Sequence, residues 1–155
     1  MVTDTPGSRY TLPFWEALSE GRFLVHRCRE CSEAFFPPAP VCPNCGDRDV
    51  EWYEASGRGR LHSFTRQHTA PPGFEAPLVV GLVELEAGPR LLAPIGADYD
   101  SLSIGAAVEV VPTEYDADYD RGPLAEFPFF EALPVPESGS DSGSAETQGR
   151  DGSAP

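Results

Sequence analysis

Four cysteines stand in two pairs, Cys28-Arg29-Glu30-Cys31 and Cys42-Pro43-Asn44-Cys45, with ten residues between the pairs. A two-residue spacing lets a tight turn aim both thiolates of a pair at one ion. Gly46, directly after the second pair, admits the positive φ that such turns often use. Two knuckles of this kind make a closed tetrahedral site of four thiolates: Cys28, Cys31, Cys42 and Cys45. A closed shell leaves no position for water or substrate, so the expected metal is structural. Zinc is the first expectation. Iron also suits four thiolates, and the spacing does not separate the two. Reading one pair as a redox dithiol fails on context, because no βαβ pattern surrounds it and the second pair is left unexplained. His26, two residues before Cys28, is a further candidate ligand, disfavoured because four cysteines already close the shell.

The elements that must hold these residues are short. All four cysteines fall within 23–56, a unit of about thirty residues that is too small to fold on apolar burial alone and would be held together by its ion. Phe23–Arg27 and Val50–Tyr53 are its candidate strands. Ahead of it, within 1–22, a helix is expected over 12–20, with Thr11 as N-cap, Pro13 in the first turn, Gly21 as the stop and Phe14, Trp15 and Leu18 on the apolar side. After Gly57-Arg58-Gly59 come strand-like runs at Arg60–Thr69, Leu78–Glu86, Arg90–Ile95, Ala107–Glu114 and, more weakly, Glu126–Leu133. Turns at Pro71-Pro72-Gly73, Ala87-Gly88-Pro89 and Arg121-Gly122-Pro123 separate them. Five short strands with no helix between them predict a small antiparallel barrel of the OB type over 57–136. From Glu137 the sequence has no aromatic and no Val, Ile, Leu, Met or Cys, and reads as a disordered acidic tail over 137–155.

The balance of charge narrows the function classes. Among 155 residues, 25 Asp and Glu face 11 basic residues, all of them Arg, for a formal net charge of −14 and a pI near 4.4. Such a surface repels phosphate backbones. The absence of Lys fits a GC-rich genome or a salt-rich cytoplasm, which is a mark of the organism and not of function. No run approaches the ~18 consecutive apolar residues of a membrane span, and the N-terminus lacks a signal-peptide pattern, so a cytoplasmic location with no membrane partner is expected. Reduced thiols in that compartment agree with metal ligation.

A wider pattern runs through these segments. The series Phe14-Trp15-Glu16-Ala17-Leu18, Gly21-Arg22-Phe23, the two knuckles, Phe36-Pro37-Pro38, Glu51-Trp52, Ser56-Gly57-Arg58-Gly59 and Ser63-Phe64-Thr65 resembles the DUF35 family, acyl-CoA-associated proteins with a rubredoxin-like zinc ribbon and an OB fold. The resemblance covers about residues 12–133. It implies a mainly β chain with a short N-terminal helix, a zinc ribbon and a C-terminal five-stranded OB-fold barrel. It also implies a non-catalytic scaffold subunit of a thiolase first, and otherwise of a MaoC-like hydratase or an aldolase, contributing to binding of the CoA thioester. Ser32 departs from the family, which often has Gly after the first knuckle.

No catalytic set of the chain's own is evident. There are 3 His, and no Gly-x-Ser-x-Gly elbow, phosphate-binding glycine loop or His-Glu-x-x-His motif. Glu84 and Glu86 read as solvated surface. One strand stands out: regular alternation over Arg58–His68 would put Arg58, Arg60, His62, Phe64, Arg66 and His68 on one face. Cations beside an aromatic suit a phosphate-and-adenine ligand such as CoA, so Arg58, Arg60, Phe64 and Arg66 are candidate CoA contacts. A bulge near Gly57 and Gly59 would break that alternation. The apolar stretch Phe127–Phe130, with Phe14 and Trp15, is a candidate interface, with core packing the alternative. Two other functions stay in view: a single-stranded nucleic-acid-binding OB protein, against which the acidic charge counts, and an electron carrier with an iron–tetrathiolate centre.

Overall fold

Helix α1, Pro6–Ser19, opens a computed structural model that describes residues 6–114 and 121–136. The acidic tail expected from Glu137 lies outside these residues. The helix starts earlier than the expected 12–20: Pro6, not Thr11, begins it, and Pro13 falls in its interior. The missing Pro13 N–H forfeits one helical bond. The burial of Phe14, Ala17 and Leu18, exposed 2%, 2% and 1%, carries the helix through it. It closes at Gly21, whose φ is +76°. There Gly21 N–H donates to the Leu18 carbonyl at 3.0 Å and Arg22 N–H to the Ala17 carbonyl at 2.9 Å, a Schellman end.

The ribbon follows as a three-stranded antiparallel sheet in the order β2-β1-β3, built from β1 (Phe23–Cys28), β2 (Ala34–Phe35) and β3 (Val50–Ala55). β1 and β3 match the expected segments and extend them. β2 is too short to have left a periodic signal. Central β1 pairs from Phe23↔Ala55 to Cys28↔Val50 on one side and at His26↔Phe35 on the other.

The remaining strands, β4 (Arg58–Gln67), β5 (Leu78–Leu85), β6 (Arg90–Pro94), β7 (Ala107–Thr113) and β8 (Phe129–Pro134), form a second antiparallel sheet in the order β6-β5-β4-β7-β8. A parallel bridge between Ile95 and Ala132 closes it into a barrel. A three-strand meander whose first strand pairs with the fourth is the OB arrangement. Gly59 makes the closure possible. A Cβ there would run into the Glu84 carbonyl oxygen and stand 2.9 Å from Val83 Cγ1, so only glycine lets β4 and β5 approach so closely. Opposite Leu82 and Val83 the register of β4 slips between Leu61 and Ser63, leaving His62 as a bulge.

Helix, ribbon and barrel share one apolar core. Phe14, Leu18, Phe23 and Val25 join Leu61, Val83, Val108 and Phe130 in a single buried cluster. The Phe14 ring packs on Phe23 at 5.6 Å, Phe36 at 5.4 Å and Phe130 at 6.1 Å. Of the candidate interface aromatics, Phe14 and Phe130 are therefore core. Trp15 and Phe129 are half-buried, their rings stacked 6.2 Å apart.

Candidate metal centre and the barrel cleft

β1 delivers Cys28 at its last position, and the two knuckles that follow are built alike. In each, the first cysteine's N–H donates to the carbonyl five residues on: Cys28 to Glu33 at 2.9 Å and Cys42 to Asp47 at 2.8 Å. In each, the fourth residue after that cysteine is left-handed, Ser32 at φ +62° and Gly46 at +77°. Ser32 thus holds the position that glycine fills in the second knuckle.

The four sulfurs all lie within 4.8 Å of one another, with Cys28 Sγ 3.6 Å from Cys45 Sγ and Cys31 Sγ 3.7 Å from Cys42 Sγ. Sulfurs placed about 2.3 Å from a central ion in a tetrahedron have edges of about 3.8 Å, so the cage fits such an ion. Its electrostatics ask for one. The Glu33 backbone N–H and the Asn44 amide, 3.7 Å from Cys31 Sγ, hold the Cys31 thiol down to about 7. The Asp47 backbone N–H favours the Cys45 thiolate, yet burial and the three neighbouring sulfurs push that thiol up to about 12. Four sulfurs this close ionise together only around a cation.

His26 does not join them. Buried to 2% exposure, it lies against Trp52 at 4.0 Å between ring centroids and Phe35 at 5.6 Å, with Nδ1 3.1 Å from the Ala39 carbonyl oxygen. Burial lowers its pKa, against the smaller opposing effect of that carbonyl. It packs the ribbon. Outside, Glu51 bridges Arg29 at 2.8 Å and Arg27 at 3.1 Å, and both cations lower its pKa.

The bulge at His62 corrects the expected single face of β4. Arg60 pairs with Glu84 on the outer side, but beyond the slip Phe64 pairs with Gly81 and Arg66 with Val79, residues of the buried side. Arg58 and Arg60 therefore face away from Phe64 and Arg66. The break lies at His62 and not at the flanking glycines. Arg60 donates to the Gly105 carbonyl at 2.8 Å. Arg66 lies over the Tyr99 ring at 4.9 Å, and Phe64 meets the same ring edge-on at 5.2 Å. Arg66 and Tyr99, with Pro77, Val79, Ala97 and Asp98, line a cleft of about 500 Å³ at the mouth of the barrel. Tyr99 belongs to a single 3₁₀ turn, Tyr99–Ser101, and nothing periodic marks it in the sequence. Among the described residues no helix is long and apolar enough to cross a membrane.

Comparison with known proteins matches residues 15–51 to the ChsH2 rubredoxin-like zinc ribbon domain and residues 52–112 to the ChsH2 C-terminal OB-fold domain. A DUF35 domain-containing scaffold protein of Methanocaldococcus jannaschii is 33% identical over 113 residues, covering 70% of this chain and 80% of that protein. This chain belongs to the DUF35 family. Other similar proteins are named as subunits of acyl-CoA enzymes. A probable enoyl-CoA hydratase alpha subunit of Thermomonospora curvata is 42% identical over 98 residues, 61% of the DUF35 chain but only 31% of that protein's length. The benzoylsuccinyl-CoA thiolase subunit BbsA of Thauera aromatica is 27% identical, covering 74% of this chain and 81% of the subunit. Among solved structures, an Ltp2-ChsH2(DUF35) aldolase chain superposes with a TM-score of 0.66 at 35% identity, over 81% of this chain and 94% of that one.

Proposed function

We propose that this DUF35 chain is a non-catalytic scaffold subunit of an acyl-CoA-metabolising enzyme complex, with its ribbon closed by one structural zinc ion held by Cys28, Cys31, Cys42 and Cys45. The observation that carries the reading is the length of the likeness. Ribbon and barrel together match proteins named as scaffolds and as subunits of acyl-CoA thiolase and aldolase assemblies. When bound, the zinc supplies a cross-link between two knuckles and no open coordination position. Thiolase is the first partner. A MaoC-like hydratase or an aldolase is the alternative, supported by the 42% identity to a hydratase alpha subunit and the 35% identity to the DUF35 chain of the Ltp2-ChsH2 assembly.

Contact with the CoA thioester belongs to the same proposal, and the bulge in β4 narrows it. Arg66 presents its guanidinium at a cleft walled by Tyr99, whereas Arg58 and Arg60 lie on the opposite side of the sheet. Single-stranded nucleic acid is a poorer fit. The outer side of β5 and β6, the surface OB folds commonly offer to polymers, carries Leu78, Val80, Leu82, Leu92 and Pro94 with no aromatic for base stacking.

The test is an affinity purification from the native cell at its own salt, with mass spectrometry and metal analysis of the same sample. A stoichiometric thiolase, hydratase or aldolase with about one zinc per chain is the expected result. Nucleic acid, or iron without an acyl-CoA enzyme, would overturn the reading. Arg66→Ala with acyl-CoA turnover unchanged in the complex would remove the CoA contact alone.

A further inference from the structure

The four sulfurs of the cage do not meet solvent equally. Cys28 and Cys42 are 0% and 1% exposed and Cys31 is half-buried, whereas Cys45 is exposed, as are Pro43, Asn44 and Gly46 around it. Their hydrogen-bond donors differ as well. Cys31 accepts from the Glu33 backbone N–H and from the Asn44 amide at 3.7 Å, and Cys45 accepts from the Asp47 backbone N–H. Each donor that stabilises a thiolate also makes it a weaker nucleophile. Cys45 is thus the sulfur most open to an oxidant. A partner for it is already in place, because Cys28 Sγ, at the end of β1, lies 3.6 Å away.

Resting on the structural zinc reading above, we propose that Cys45 is a site of oxidation by hydrogen peroxide and that Cys28 resolves it as a disulfide across the two knuckles, which empties the cage. The Cys45 thiolate attacks one peroxide oxygen, the O–O bond breaks, and Cys45 becomes a sulfenic acid as hydroxide leaves. The Cys28 thiolate then attacks the Cys45 sulfur, and the S–S bond forms as the S–O bond breaks and a second hydroxide departs. Two thiolates and one peroxide give one disulfide and two hydroxides, the two electrons lost by sulfur reducing the peroxide. Cys31 and Cys42 remain, too few to close a tetrahedral shell. Local geometry favours this pair over one within a knuckle. Gly46 N–H to the Cys42 carbonyl at 3.0 Å and Cys42 N–H to the Asp47 carbonyl at 2.8 Å fix the second turn, so drawing Cys42 and Cys45 together would distort it. Joining Cys45 to Cys28 takes a movement of about 1.5 Å by an exposed loop that keeps its own bonds.

The test treats the full wild-type chain, as isolated at native salt, with increasing hydrogen peroxide. A colorimetric chelator reads the zinc released, dimedone traps sulfenic acid at low peroxide, and peptide mapping without reduction locates the disulfides. The expected result is about one zinc released per peroxide consumed, dimedone on Cys45 and a Cys28–Cys45 link, all reversed by dithiothreitol with added zinc. The oxidised chain, still cross-linked between its knuckles, should melt below the zinc-loaded chain and above the reduced, metal-free one. Zinc retained through excess peroxide would overturn this proposal and leave the structural zinc reading intact. So would dimedone on Cys31, a disulfide confined to one knuckle, or a Cys45–Cys45 link between two copies. A chain that carries no zinc as isolated would overturn both.

Discussion

Stripping the ion from the four-sulfur cage is expected to unfold the ribbon and pull the barrel with it in one transition. A structural zinc site contributes about 10–16 kcal/mol to folding of a small ribbon, which matches or exceeds the ~5–15 kcal/mol net stability of a whole domain. The ribbon is not a detachable appendage. Phe23, Leu24 and Val25 of β1, exposed 4%, 9% and 0%, lie in the same cluster as Leu61, Val83 and Val108 of the barrel. Exposing three such side chains costs about 5–9 kcal/mol, the same order as the total, so the barrel does not keep its stability once β1 lets go. The assay pairs metal analysis with thermal melts at native salt, before and after a strong chelator, alongside Cys42→Ser. One ion per chain is expected, and its loss should lower the midpoint by more than about 10 °C. An unchanged melt after complete metal loss would refute the structural role of the ion. Two separate transitions would refute the shared core.

Three further outcomes follow from single positions. Ser32→Gly relieves a left-handed serine at φ +62° and should stabilise the chain by up to about 1 kcal/mol, read as a higher denaturant midpoint with unchanged metal content. Gly59→Ala forces a methyl group against the Glu84 carbonyl and Val83, and should destabilise by about 1–3 kcal/mol or more. Loss of amide protection centred on β4 and β5 would locate the damage. Burial depresses the pKa of His26, so below its ordinary value near 6.5 the unfolded chain takes up a proton that the folded chain refuses. Stability is therefore full above pH 6.5 and declines below it. His26→Phe keeps a ring against Trp52, and urea midpoints between pH 8 and 5 should show a shallower acid decline than wild type. Parallel curves would remove His26 as the cause.

The spacing Cys-x-x-Cys, repeated once, was enough to name all four candidate ligands, because the geometry of a knuckle is set within a few residues of its own chain. The barrel strands were legible for a similar reason: Leu78–Leu85 and Ala107–Thr113 are β-rich runs bounded by Gly and Pro turns. The face each strand shows was not. One bulged residue, His62, turned Phe64 and Arg66 to the opposite side from Arg58 and Arg60, and a bulge depends on how β4 registers against β5, which no alternation within β4 records. Helix α1 likewise runs through Pro13 because Phe14 and Leu18 find a core contributed by β1 and β8. Tyr99 comes under Arg66 from a turn thirty-three positions further along the chain. The sequence by itself determined the four candidate metal ligands and the order of the main elements, which rest on local spacing. Only the tertiary structure decided which side chains share a surface, because that depends on cross-strand register and on burial contributed by distant segments.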